Sequence, residues 1–125
     1  MDIREYKNSN YFDIIISNPP YMDNNGKKIN ENEHKAISRH EIKLSLSELI
    51  SNAKRLLKPI GLLYFIHRTH RLVEIIKALD KNDFSVKKII FIYSARNNKS
   101  TMMFVEAIKG KKVKLEIQNY YIYNR

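Results

Sequence analysis

Cysteine is missing from all 125 residues, and so is tryptophan. Without thiols the chain has no disulfide, no thiolate metal site and no cysteine nucleophile, which fits a reducing, cytoplasmic setting. Glycine and proline number three each. The glycines Gly26, Gly61 and Gly110 stand alone, so no glycine-rich loop is present to wrap a phosphate or a nucleoside. Long apolar runs are missing too. Residues 12–16 and 62–66 have the length of buried strands, far short of the roughly 20 residues that cross a bilayer. The opening Met1-Asp2-Ile3-Arg4-Glu5 is charged where a secretory signal would be apolar, so no membrane partner is expected. Acidic residues are scarce: 13 against 23 lysines and arginines, a formal net charge of +10. Such an excess draws polyanions, with nucleic acid the first candidate, against the plainer reading of solvated surface lysines.

What is present alternates between strand and helix patterns. Tyr11-Phe12-Asp13-Ile14-Ile15-Ile16-Ser17 is β-branched and apolar on both faces, as in a parallel strand covered by helices, and Asn18-Pro19-Pro20 closes it. From 22 to about 38 there is no periodicity, and a polar loop this long in a compact chain is functional or disordered. A helix is expected over 40–57. Its stripe is Ile42, Leu46, Leu49, Ile50, Ala53, Leu56 and Leu57, and Pro59 and Gly61 stop it. A second strand is expected over 61–67. A short helix over 71–81 should turn Leu72, Val73, Ile75, Ile76 and Leu79 inward. A third strand over 84–93, a turn at Asn97-Asn98-Lys99-Ser100 and a fourth strand over 101–108 make an antiparallel hairpin. Residues 113–117 and 120–123 suit short edge strands. The length suits one domain or a piece of one. The order β-α-β-α-β-β predicts an α/β fold: a parallel sheet ending in an antiparallel hairpin.

The strongest chemical signal is Asn18-Pro19-Pro20-Tyr21, placed where ligands bind in open α/β sheets, beyond the carboxyl end of a strand. A strand-ending Asn-Pro turn with a packing tyrosine is the structural alternative. The segment resembles motif IV of the amino-methyltransferases. The wider pattern is similar to the bacterial tRNA1(Val) adenine-N6-methyltransferase family over nearly the whole chain. The matching elements are Asn18-Pro19-Pro20-Tyr21-Met22, Arg39-His40-Glu41, Leu57-Lys58-Pro59, His67-Arg68 and Arg71-Leu72. Thr69 departs from a frequent proline and Ile60 from a frequent glycine.

The resemblance implies a Rossmann-like class I methyltransferase domain, of which residues 1–125 are the C-terminal half, the region of strands 4 to 7. The half that carries the glycine-rich cofactor loop is absent. It also implies S-adenosylmethionine as cofactor, faced by Asn18 and by Asp2, and methyl transfer to N6 of an adenine in tRNA. Such chemistry suits the motif. The lone pair of adenine N6 is delocalised into the ring. Two acceptors on its N–H bonds, the Asn18 side-chain oxygen and the Pro19 carbonyl held by the diproline, would localise that pair and stabilise the developing positive charge. Tyr21 offers a face on which an extruded base stacks. The four-residue motif is shared with glutamine N5 and guanine N2 methyltransferases, which remain alternatives, as does a basic RNA-binding remnant without catalysis.

Arg39 and His40 beside the loop, and Arg68, His70 and Arg71 after the second strand, are candidate RNA contacts, against helix capping and solvated ion pairing. His34, His40, His67 and His70 match no metal spacing, so no metal is expected. Lys27, Lys28 and Lys35 suit solubility more than RNA guidance. Tyr120, Tyr121 and Tyr123 could stack on bases, but an edge strand is the favoured reading. With the cofactor half absent, the first strand should expose apolar side chains and unpaired backbone. The expected partners are therefore tRNA and either a separate N-terminal half or a second copy on that edge.

Overall fold

The computed structural model describes residues 4, 9–18, 45–94 and 98–122. The elements run β1 (Phe12–Ser17), α1 (Leu46–Leu56), β2 (Leu57–Arg68), a 3-10 turn (Thr69–Arg71), α2 (Leu72–Lys81), β3 (Phe84–Ser94), β4 (Met102–Lys109) and β5 (Glu116–Ile122). They form one five-stranded sheet in the order β1-β2-β4-β3-β5. β1 lies parallel to β2 and β3 parallel to β5, while β4 runs antiparallel to both β2 and β3. Four strands thus end at one edge of the sheet, where β4 begins. The expected α/β sheet with its closing hairpin is the observed one. Among the described residues no helix is long and apolar enough to cross a membrane.

Helix α1 starts later than its apolar stripe predicts. Ser45 is the N-cap: its hydroxyl accepts the Glu48 N–H at 3.0 Å, and the Glu48 carboxylate accepts the Ser45 N–H at 3.1 Å. This reciprocal pair satisfies two donors that a helix start leaves open. The expected start at 40 is therefore corrected, and Ile42 lies outside the described residues. Leu57 is not helical but opens β2 with extended backbone (φ −81°, ψ 142°), its N–H still bonded to the Ala53 carbonyl. β2 accordingly begins four residues before the expected strand. It passes Pro59 through an irregularity: Phe12 pairs with Leu57, then Ile14 with Leu62. Proline lacks the N–H of a regular ladder and is tolerated at such a bulge.

Helix α2 buries Ile75 and Leu79, with Leu72 packed beside them. Val73 and Ile76, expected inward, face solvent at 66% and 38% exposure. Successive helix residues are about 100° apart, so Ile75 and Ile76 cannot share a narrow buried face. The tail forms one continuous strand, β5, rather than two short pieces, and all seven of its residues are exposed.

Both helices cover the same face of the sheet. Leu49, Ile50, Ala53, Ile75 and Leu79 close over Leu63, Phe65, Ile89, Met103, Val105 and Ala107 in a single core. Side chains alternate along strands, so the intervening residues point the other way. On that second face Ile14 and Ile16 are 50% and 76% exposed, and Tyr64 stacks on Phe104 at 5.6 Å between ring centroids. Tyr64 donates to the buried Glu106 carboxylate at 3.1 Å, and Lys87 lies 3.6 Å from it. The expectation that β1 would expose apolar side chains at a sheet edge holds among the described residues.

Candidate functional site

Asn18 stands one residue beyond β1 and is exposed. Across the ladder it lies beside the last residues of β2, because Ser17 pairs with Phe65 and β2 ends at Arg68. Pro19, Pro20, Tyr21, Asp2, Arg39 and His40 lie outside the described residues. Of the candidate site residues the structure therefore describes Asn18, Arg68, His70 and Arg71, all at or just past the carboxyl ends of the parallel neighbours β1 and β2.

The segment after β2 is held in place. The Thr69 N–H donates to the Thr101 carbonyl at 3.0 Å, the Thr69 and Ser100 hydroxyls are 3.0 Å apart, and the Ser100 hydroxyl donates to the Met102 carbonyl at 2.8 Å. These bonds tie the end of β2 to the start of β4. They also give Thr69 a use for the backbone N–H that a proline there would lack. The Arg68 N–H lies 2.8 Å from His67 Nδ1, which assigns Nδ1 as acceptor and the ring proton to Nε2. Burial, followed by the positive charge of Arg71, lowers the His67 pKa from 6.5, so the ring is neutral at physiological pH.

Arg71 does not point alone at solvent. Its guanidinium grips Glu74 with two bonds, Nε to Oε1 at 2.6 Å and Nη2 to Oε2. That fork lowers the Glu74 pKa and raises that of Arg71. His70 is exposed and Arg68 half-buried. The rim thus presents an amide, a neutral imidazole and the guanidinium groups of Arg68 and Arg71, the latter paired with Glu74.

Two features escape sequence reasoning. The first is a ring pair at the far end of the same rim. Tyr93 of β3 and Tyr121 of β5 are register partners, and their rings stack at 5.1 Å and 20°. Nothing in either segment announces the other, since the pairing is set by sheet order. The second lies at the opposite end of the sheet. Lys109 Nζ donates to the Lys54 carbonyl at 2.6 Å, the Leu57 carbonyl at 2.5 Å and the Asn10 side-chain oxygen at 3.2 Å. A shallow cleft lined by Asp80, Asp83, Lys111 and Lys112 is also at that opposite end, away from Asn18.

A model of the Eco57I restriction-modification methylase family matches residues 1–100. The tRNA1(Val) (adenine(37)-N6)-methyltransferase of Aliivibrio fischeri is 30% identical over 105 residues, covering 84% of this chain and 44% of that protein. Its namesake from Aliivibrio salmonicida is 29% identical over the same shares. The chain spans less than half the length of these curated relatives. Among solved structures, a predicted O-methyltransferase from Agrobacterium tumefaciens aligns with TM-score 0.65 at 23% identity, over 92% of this chain and 44% of that one. The M1.HpyAVI–SAM complex aligns with TM-score 0.53 at 22% identity, over 82% and 45%. At such identities these two speak for the fold alone, an α/β methyltransferase half-sheet.

Proposed function

This chain belongs to the Eco57I restriction-modification methylase family, and from that premise we propose that it supplies the acceptor-binding half of an enzyme that methylates N6 of an adenine in tRNA. The observation that carries this reading is Asn18, exposed just past the carboxyl end of β1 and opening the Asn18-Pro19-Pro20-Tyr21 motif. Its side-chain oxygen accepts one N–H of the adenine amine, and the Pro19 carbonyl accepts the other. Together they localise the nitrogen lone pair and stabilise the charge that forms on attack. Tyr21 stacks on the extruded base. The net charge of +10 and the tRNA-modifying relatives favour RNA over a protein substrate. Arg39, His40, Arg68, His70 and Arg71 contact its phosphates, Arg71 after exchanging Glu74 for phosphate.

S-adenosylmethionine supplies the electrophilic methyl group when bound. The described residues do not fit the whole of it. Asn18 suits the acceptor side, but Gly61, inside β2, and Gly110, just past the end of the antiparallel β4, are the two described glycines and lie away from the carboxyl ends of β1, β2, β3 and β5. Asp2 is the candidate for the adenine side. The rest of the cofactor site belongs to a unit seated against β1 and the open face of the sheet, where Ile14 and Ile16 wait uncovered. A second copy of the chain on the same edge is the competing occupant.

The test is Asn18→Ala in the chain complemented with a cofactor-binding half. Turnover on tRNA is expected to fall at least ~100-fold, the scale of losing one preorganised stabilising group. RNA affinity is expected to stay within about twofold, because the amide meets the amine and not the phosphates. An active complemented enzyme indifferent to the change would refute the mechanism. Methylation of ribosomal RNA or of a protein in place of tRNA would redirect the substrate.

A further inference from the structure

We propose that the Tyr93–Tyr121 stack is a platform for an unpaired base of the RNA substrate, several nucleotides from the adenine being methylated. The inference rests on RNA being the substrate, and adds a site to the one at Asn18. Its first support is position. β1, β2, β3 and β5 all point the same way, so Tyr93 and Tyr121 reach the rim that carries Asn18. Four strand spacings separate β1 from β5, about 19 Å along the rim.

The second support is geometry. The two rings are already parallel, and backbone register between adjacent strands holds them. A base laid against Tyr121 meets a flat surface that needs no rearrangement, and stacking of this kind tolerates any base. Tyr121 is 50% exposed, which leaves ring surface that no described side chain covers. Lys99, exposed in the turn that precedes β4, lies along the same rim.

The third support is charge. β5 is a sheet edge among the described residues, and an exposed edge also invites a second copy. Two copies each carrying +10 repel one another, whereas an RNA strand is attracted to a chain of that net charge. RNA is therefore the occupant, and strand-to-strand pairing is the outcome that would displace it.

The full chain is titrated with a stem–loop RNA containing one loop adenine, read by fluorescence anisotropy. Tyr121→Ala should weaken binding roughly 5- to 100-fold, the range of one lost stacking contact, while Tyr121→Phe stays within about twofold. The salt dependence should not change, because no phosphate contact is removed. Tyr120→Ala, on the opposite face of β5, should bind as the unaltered chain does. In case the alanine variant unfolds, the unaltered chain is also irradiated with RNA carrying 5-iodouridine in its loop, and crosslinks are expected on Tyr93 or Tyr121. Unchanged affinity of Tyr121→Ala, equal losses for Tyr120→Ala and Tyr121→Ala, or crosslinks mapping only elsewhere would overturn the platform while leaving the RNA reading intact. So would a Tyr121→Ala variant that changed only self-association in sedimentation. If the unaltered chain bound no RNA, the substrate reading itself would fall and the platform with it.

Discussion

At position 60 a β-branched side chain is carried through the left-handed region, with φ at +58°. Such a conformation costs an L-residue roughly 1–2 kcal/mol, and β-branching makes it worse. The isoleucine gains little in return, being 63% exposed. Ile60→Gly is therefore expected to stabilise the fold by about 1 kcal/mol after the extra chain entropy of glycine is counted, read as a raised urea midpoint. Its neighbour behaves in the opposite way. A Cβ on Gly61 would sit 2.9 Å from the Lys58 carbonyl oxygen and 3.1 Å from that of Asp13. Both are backbone atoms, so Gly61→Ala should destabilise by about 1–3 kcal/mol. His67 sets a pH dependence at the same scale. Its folded pKa is lowered from 6.5 by burial and then by Arg71, so between the two values the unfolded chain binds more protons than the folded one. The contribution is intact above about pH 6.5 and is lost as pH falls toward the folded pKa. Urea midpoints at pH 7.5 and 5.5 should differ less in His67→Gln than in the unaltered chain. Ile60 is legible in the sequence as a departure from a family glycine, but its dihedral is not, because only the bulge between β1 and β2 imposes it.

Among the elements, β1, β2 and the β3–β4 hairpin are readable from local signals. Apolar runs rich in isoleucine, leucine and aromatic residues announce them, with Asn18-Pro19 after the first and a turn around Asn98 between the last two, although β2 starts at Leu57, ahead of Pro59. The end of α1 is less so. An apolar stripe running on to Leu57 looks helical, yet Leu57 turns extended and pairs with Phe12. The capping pair Ser45 and Glu48 was present in the sequence as a start signal, but the stripe reaching back to Ile42 outweighs it when periodicity alone decides. β5 is the hardest case. Its tyrosines suggest a strand, but nothing local says that it lies parallel to β3, because partner choice depends on where β4 inserts. Lys109 is equally illegible, since its partners Asn10, Lys54 and Leu57 come from three distant segments. It closes the carboxyl end of α1 where carbonyls lack helical donors. Lys109→Met keeps most of the stem and removes the ammonium, so it should cost about 1.5–3 kcal/mol, the range for hydrogen bonds from a charged group. Chemical denaturation of the variant checks this, and loss of amide-exchange protection at Tyr11, whose N–H bonds to Leu56, should accompany it.

At the scale of the molecule the governing fact is asymmetry: among the described residues both helices lie on one face of the sheet, and the other face leaves Ile14 and Ile16 exposed at the β1 edge. The motif Asn18-Pro19-Pro20-Tyr21 marks the proposed acceptor end of the site in the sequence, and the isolated glycines Gly26, Gly61 and Gly110 supply no glycine-rich loop for a cofactor. Isothermal titration of the isolated chain with S-adenosylmethionine should accordingly show no micromolar binding. Such binding to a monomer would mean that the described half holds the cofactor unaided. The place of β4 also sets the order in which the sheet can be completed. It is central in the sheet, yet both strands it joins precede it in the chain. A ribosome therefore releases β2 and β3 each with a bare flank, and no backbone ladder can join them until residues 102–109 have emerged. The β2–β4–β3 centre of this sheet is therefore completed late, and a nascent chain stalled before that point would be a target for chaperones or aggregation.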